Sequence, residues 1–225
     1  MKIAEIEARL QHGEYSEELL ALFKDALKRV PKAGRCQHCY TTAAGMPMRF
    51  SRQAVGLIQY GLQEHCAGWV DRMRSFHNIA VILEKQGDYS GAKQAYSEAL
   101  SSVEAGNRSV YTSEYAAHLM RTEMHINNFE YTQELENYYD TALQADEFRK
   151  VFQTATFYRL LAQIIISRHR GDLPAARVAY DEANKMLRPG FSGPLTLLLK
   201  KKGVSESTGT TKEARNFLRR VSKLF

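Results

Sequence analysis

From Pro47 to Pro174 the chain runs without a proline, and from Asn107 to Arg170 it also lacks glycine. These two residues break regular structure most strongly: proline has no amide to donate, and glycine has no side chain to restrain its backbone. A stretch this long without either folds as helices when its apolar residues recur at helical spacing. Phe76, Ile79, Ala80, Ile82 and Leu83 form one broad helical face, and Phe157, Leu160, Leu161, Ile164 and Ile165 form another. Strand-type alternation is not sustained over six positions anywhere in the chain. The expected fold class is all-α.

The breakers that remain fall between helical segments. Gly13-Glu14-Tyr15, Gly87-Asp88-Tyr89 and Gly171-Asp172-Leu173 each follow one periodic stretch and precede another. Glycine takes the left-handed conformation that ends a helix. The acid beside it, or Ser16 or Ser90, can accept from the free amides of the next helix. Asn127-Asn128-Phe129 fills the same place with asparagine as the left-handed residue. Gly87, Asn127 and Gly171 lie 40 and 44 residues apart, so helix, turn, helix recurs with a period near that of known helical arrays. Pro174 suits the first turn of a helix, and Pro31 and Pro189 stop the helices before them. The stretch from Pro31 to Pro47 reads as a loop.

With 225 residues, 44% hydrophobic and 25% charged, the chain has ordinary globular usage and can bury a core. That excludes a disordered, collagen-like or disulfide-scaffold chain. No apolar run is long enough to cross a bilayer, and the first residues carry no apolar signal core. Three cysteines, an odd number, favour a reducing compartment, so a cytoplasmic location is expected.

The run Phe76-His77-Asn78-Ile79-Ala80-Val81-Ile82-Leu83, then Gly87-Asp88-Tyr89, Ala92, Tyr96, Ala99 and Leu100, resembles the tetratricopeptide repeat. Small Ala80, Ala92 and Ala99 would let two helices approach, with Phe76, Leu83, Tyr89 and Tyr96 filling the space around them. Leu160, Ile164, Gly171, Asp172, Leu173, Ala176, Tyr180, Ala183 and Pro189 repeat the pattern, although Gln163 stands where the family prefers leucine. Residues 113–145 match weakly and need two to three extra residues in their turn. The first thirty residues also match weakly, 31–68 match poorly, and 191–225 do not match.

The resemblance implies stacked antiparallel hairpins in a right-handed superhelix, an α-solenoid, over residues 1–190, with a separate basic segment at 191–225. It further implies a non-catalytic scaffold whose first helices line a concave groove that binds a peptide or protein partner. Helical spacing places Arg74, His77, Asn78, Val81 and Lys85 near that groove in one hairpin, Glu114, Ala117, Arg121 and His125 in the next, and Tyr158, Leu161, Ile165, Arg168 and His169 in the last. His77 and Val81 stand where some family members carry the lysine and asparagine that clamp a carboxylate, which speaks against a chaperone-tail clamp. The aromatic groups Phe129, Tyr131, Tyr138 and Tyr139, and Phe148, Phe152, Phe157 and Tyr158, suit either a partner surface or packing between hairpins. Self-association is left open.

Cys36-Gln37-His38-Cys39 has the spacing of a half zinc site, and Cys66 with His65 or His38 could complete four ligands. The alternatives are a redox pair and free thiols, with no cofactor at all. No phosphate-cradling glycine loop and no His-Glu-x-x-His occurs, so no catalytic residue is assigned and no enzyme is expected.

Charge is uneven. Residues 188–225 hold nine of the 31 basic residues and two of the 25 acidic ones, so the tail accounts for the whole surplus of +6. Thr211 is expected to cap a helix whose apolar face is Phe217, Leu218, Val221, Leu224 and Phe225. Lys212, Arg215, Arg219, Arg220 and Lys223 fall largely elsewhere on it. Such a helix can cap a repeat stack, or bind nucleic acid or an acidic membrane surface.

Overall fold

The computed structural model describes residues 2–146, 153–187 and 209–224. Among them are eleven α-helices and no strand. They are α1 Ile3–Gln11, α2 Glu17–Leu27, α3 Lys32–Gly45, α4 Ser51–Glu64, α5 Trp69–Gln86, α6 Tyr89–Ser101, α7 Arg108–Ile126, α8 Gln133–Asp146, α9 Gln153–His169, α10 Leu173–Met186 and α11 Gly209–Val221. None is long and apolar enough to cross a membrane. The helices cluster into two compact units, Met1–Tyr111 and Thr112–Phe225.

Turn chemistry joins them as the sequence implies. Gly13, Gly87 and Gly171 all take positive φ, at +87°, +82° and +76°. Ser16, Asp88 and Asp172 accept from the amides of Leu19, Gly91 and Ala175 at 3.1, 2.9 and 3.0 Å. Each cap satisfies one donor that the first turn of a helix leaves free. The α5–α6 and α9–α10 turns are near copies, with Asp88 at φ −82°, ψ 75° and Asp172 at φ −83°, ψ 76°. Behind each cap comes the same line of small residues. Ala92, Ala95 and Ala99 are buried on α6, and Ala176, Ala179 and Ala183 on α10. With no side chain beyond Cβ, these positions let the paired helices close on one another.

The α7–α8 turn is longer, running from Asn127 to Thr132. Asn128 and Phe129 take φ +52° and +62°, and Thr132 Oγ1 caps α8 through the Leu135 amide at 3.0 Å. Phenylalanine in the left-handed region carries a steric cost that glycine avoids. Here the Phe129 ring is buried, against Phe217 of α11 at 5.1 Å.

In the first unit α3 packs on α4, and also on α1 and α5. The loop expected between Pro31 and Pro47 is therefore corrected: residues 32–45 form α3, with Pro31 as the residue that caps it. Cys36, Cys39, Tyr40 and Ala43 recur at helical spacing and are all buried. Gly61 of α4 completes the fit, because a Cβ there would stand 2.7 Å from that of Cys39.

The second unit has one core formed by Met120 and Met124 of α7, Leu135 of α8, Leu161 and Ile164 of α9, Ala179 and Ala183 of α10, and Ala214, Phe217, Leu218 and Val221 of α11. The tail helix is thus part of this core, and the division at residue 190 does not follow the compact units. Its first residue is Gly209, so Thr211 lies inside the helix instead of capping it. Pro189, Phe148, Phe152 and the Lys200–Lys202 triplet lie outside the described residues.

Candidate functional site

The groove residues drawn from α5 are open in part. Arg74 and Lys85 are exposed, and His77, Asn78 and Val81 are half-buried. Positions 74, 78, 81 and 85 fall on one side of a helix, so two cations bracket an amide and an apolar patch. Arg74 Nη1 donates to the Tyr40 hydroxyl of α3 at 3.5 Å. That hydrogen bond holds the guanidinium pKa above its ordinary value. His77 meets the Tyr96 ring edge-on at 5.7 Å.

Beside this face, α1 and α3 are joined by a carboxylate. Glu7 Oε1 lies 2.6 Å from His38 Nδ1 and accepts from Thr42 Oγ1 at 3.0 Å. Thr42 is fully buried. Glu7 and its partners are therefore occupied with one another, tying two helices together, whereas Arg74 and Lys85 are exposed.

In the second unit the expected groove set divides. Glu114 and Arg121 are half-buried, and the Arg121 guanidinium lies over the Tyr158 ring at 5.7 Å. Four positions are buried: His125 is 7% exposed, Tyr158 and Ile165 4% and Leu161 0%, so none of them stands open along a groove. For His125 the reason is α11, whose Glu213 Oε2 sits 2.6 Å from its Nδ1, and Tyr158 OH is in turn 3.4 Å from His125 Nε2. Sequence spacing could not show that α11 lies against His125.

Arg168 is half-buried at the rim of a recess of ≈ 380 Å³, with Phe129, Ile165 and Leu173 as its apolar lining. His169 and Tyr131 share that recess and stack face to face, 3.6 Å apart with planes within 3°. Next to them Tyr131 and Arg170 both donate to Glu136. The Tyr131 hydrogen bond, followed by that of Arg170, holds the Glu136 carboxyl below its ordinary pKa. The sequence singled out Ile165, Arg168 and His169 as one group and Phe129 and Tyr131 as another, but could not show that they meet, because they come from the end of α9 and from the α7–α8 turn.

The four suggested zinc ligands are not assembled. Cys36 and Cys66 are joined in a disulfide between α3 and the α4–α5 turn, with Ser75 Oγ 3.5 and 3.8 Å from their sulfurs. This corrects the expectation of free thiols at these two positions. Cys39 is free, buried against Gly61, and its thiol is pushed up to about 12, first by burial and then by the Glu7 charge. His65 turns its ring edge toward Tyr60 at 5.3 Å, with Nε2 buried and without a hydrogen-bond partner. Among the described residues no group of three or more histidine, cysteine or acidic side chains is placed to hold a metal ion.

Five of the tail cations lie among the described residues. Lys212, Arg215, Arg219, Arg220 and Lys223 are exposed, and of these Arg220 alone has a partner among the described residues, donating to the Asn128 carbonyl at 3.3 Å.

Comparison with family models, curated proteins and solved structures finds no match to this chain.

Proposed function

We propose that this protein is a non-catalytic scaffold of tetratricopeptide type, whose first unit stacks its hairpins as a right-handed solenoid and binds a peptide or protein partner along α1, α3 and α5. The observation that carries this reading is the place of α3, which packs on α1 on one side and α5 on the other. Alternate helices therefore neighbour one another, as they do where first helices of successive hairpins line one wall. The cap geometry shared by α5–α6 and α9–α10 supports a repeated unit.

The wall offers Arg74 and Lys85 about 16 Å apart along the helix, from an ~1.5 Å rise per residue, with Asn78 and Val81 between them. That pattern suits an extended or helical peptide with an acidic residue at each end of an apolar one. Charge sets its register and the apolar contact adds affinity.

Binding of a peptide library to the purified full chain tests the reading. Arg74→Glu with Lys85→Glu is expected to lower affinity for the selected acidic peptides by at least ~10-fold, since each reversed contact costs on the order of 1 kcal/mol or more. Selected peptides that bind the double variant as well as the parent would overturn it.

A further inference from the structure

The docked α11 raises a question that its role in the core does not answer. A helix that serves only to cover apolar surface needs its apolar face and no particular charge on the other. Here the apolar face is fully used: Ala214, Phe217, Leu218 and Val221 are at most 3% exposed. The outer face carries Lys212, Arg215 and Arg219, and Lys223 follows in the 3-10 turn Ser222–Leu224, at successive steps of three, four and four residues. All four are exposed and none pairs with a carboxylate among the described residues. The one acid of this helix, Glu213, is held at His125.

We propose that this line of cations is a backbone-tracking surface for single-stranded nucleic acid, with the neighbouring recess receiving an unstacked base. Three observations converge on that choice of polyanion. A helix that binds an anionic membrane must place its apolar face in the lipid, and in α11 that face is already packed inside the protein. Two of the four free cations are arginines, whose planar fork matches phosphate oxygens in pairs. The helix also adjoins a stacking site, since Phe217 of α11 packs on Phe129 and Arg220 donates to the Asn128 carbonyl, and Phe129 lines the recess with Tyr131, Arg168 and His169.

An aromatic and cationic recess next to a basic track is the arrangement by which single strands are held without base-pair readout. At ≈ 380 Å³ the recess lies at the small end of ligand pockets, about 300–1,000 Å³, which suits one planar base. Glu130 at its edge, with Glu136 behind Tyr131, disfavours a phosphate there, and Glu130 can accept from the exocyclic amine of a base. A duplex keeps its bases stacked and presents none to such a recess.

The test is fluorescence anisotropy of a short labelled single-stranded oligonucleotide with the full chain, beside a duplex of the same sequence and phosphatidylserine vesicles. The single strand is expected to bind with log K falling against log salt at a slope of about −3, from ~0.7 per phosphate neutralised by four cations. Arg215→Ala with Arg219→Ala is expected to flatten that slope to about half, and His169→Ala to lower affinity about tenfold at an unchanged slope. All three positions are exposed, so circular dichroism of the variants should match the parent. Salt-insensitive binding, equal binding by the Arg215/Arg219 variant, or association with vesicles but not with the oligonucleotide would overturn the proposal. Duplex binding as tight as that of the single strand, with no effect of His169→Ala, would overturn the role of the recess. Peptide binding at Arg74 is read on other residues, so failure of either proposal leaves the other measurable.

Discussion

Two adjacent hairpins of the first unit are closed by different chemistry. In α5–α6 every requirement is local. Gly87 takes the left-handed turn, Asp88 caps the second helix, and Ala92, Ala95 and Ala99 make the seam into which Tyr96 is fully buried. In α3–α4 the turn is longer and passes through Pro47 and a short 3-10 segment, Met48–Phe50. The seam there is one glycine, Gly61, against Cys39, and the disulfide from Cys36 to Cys66 closes the hairpin on itself. A helical pair can thus close without the local signals, where a close approach and a long-range tie replace them.

The contrast can be broken from either side. The largest effect is expected from Tyr96→Ala, which empties a fully buried site and removes the hydroxyl that donates to Glu84 at 3.0 Å. A loss of about 4 kcal/mol is expected by denaturant titration. Next comes the tie of the other hairpin. Cys66→Ala, or a reductant, should cost about 3 kcal/mol for a loop of 30 residues. Hydrogen exchange should then speed up in α3 and α4 while the α6 amides keep their protection. Equal acceleration in both hairpins would show that they do not hold together independently.

Gly61→Val should cost about 2 kcal/mol, because the added atoms meet the Cys39 Cβ at a distance no real side chain tolerates. The same valine at Gly56, where nothing stands within 4 Å of a new Cβ, should be close to neutral.

Smaller still is a pH effect confined to α3–α4. The Cys39 thiol is raised from 9.0 to about 12 in the folded protein. A raised pKa means that its contribution is fully present below pH 9 and is lost as pH rises toward 12, because the unfolded chain ionises first. At pH 10 the loss should be about 1 kcal/mol. Comparison of unfolding midpoints at pH 8 and pH 10 in the parent and in Cys39→Ala would isolate it, since the variant should lack that part of the slope. Asp88→Ala, which removes one cap from α5–α6, is expected to cost about 1 kcal/mol or slightly less.

Much of this was legible in the residues. The helical class, the turns at Gly13, Gly87, Asn128 and Gly171, and the caps at Ser16, Asp88 and Asp172 could all be read from a few neighbouring positions. So could the extra length of the α7–α8 turn. The α3–α4 hairpin could not, for a specific reason. Cys36, Cys39, Tyr40 and Ala43 do lie at helical spacing, but they stand among Lys32, Gly34, Arg35 and Gln37, which dilute the apolar signal, and a cysteine pair two residues apart suggests a metal more readily than a buried seam. At the candidate sites, Arg74 and Lys85 were placed on an open face as expected from spacing, whereas His125 and Tyr158 were not.

Periodicity and turn residues alone determined that the chain makes helices, where many of them end, and which side of each is apolar, because these properties depend on residues within a turn or two of one another. Only the tertiary structure decided which cysteines meet, that Gly61 is a contact and Gly56 is not, and that α11 lies on His125 with its cations outward. Those outcomes depend on groups up to about ninety residues apart along the chain, whose pairing is set by which apolar faces bury each other best and leaves no mark in the local pattern.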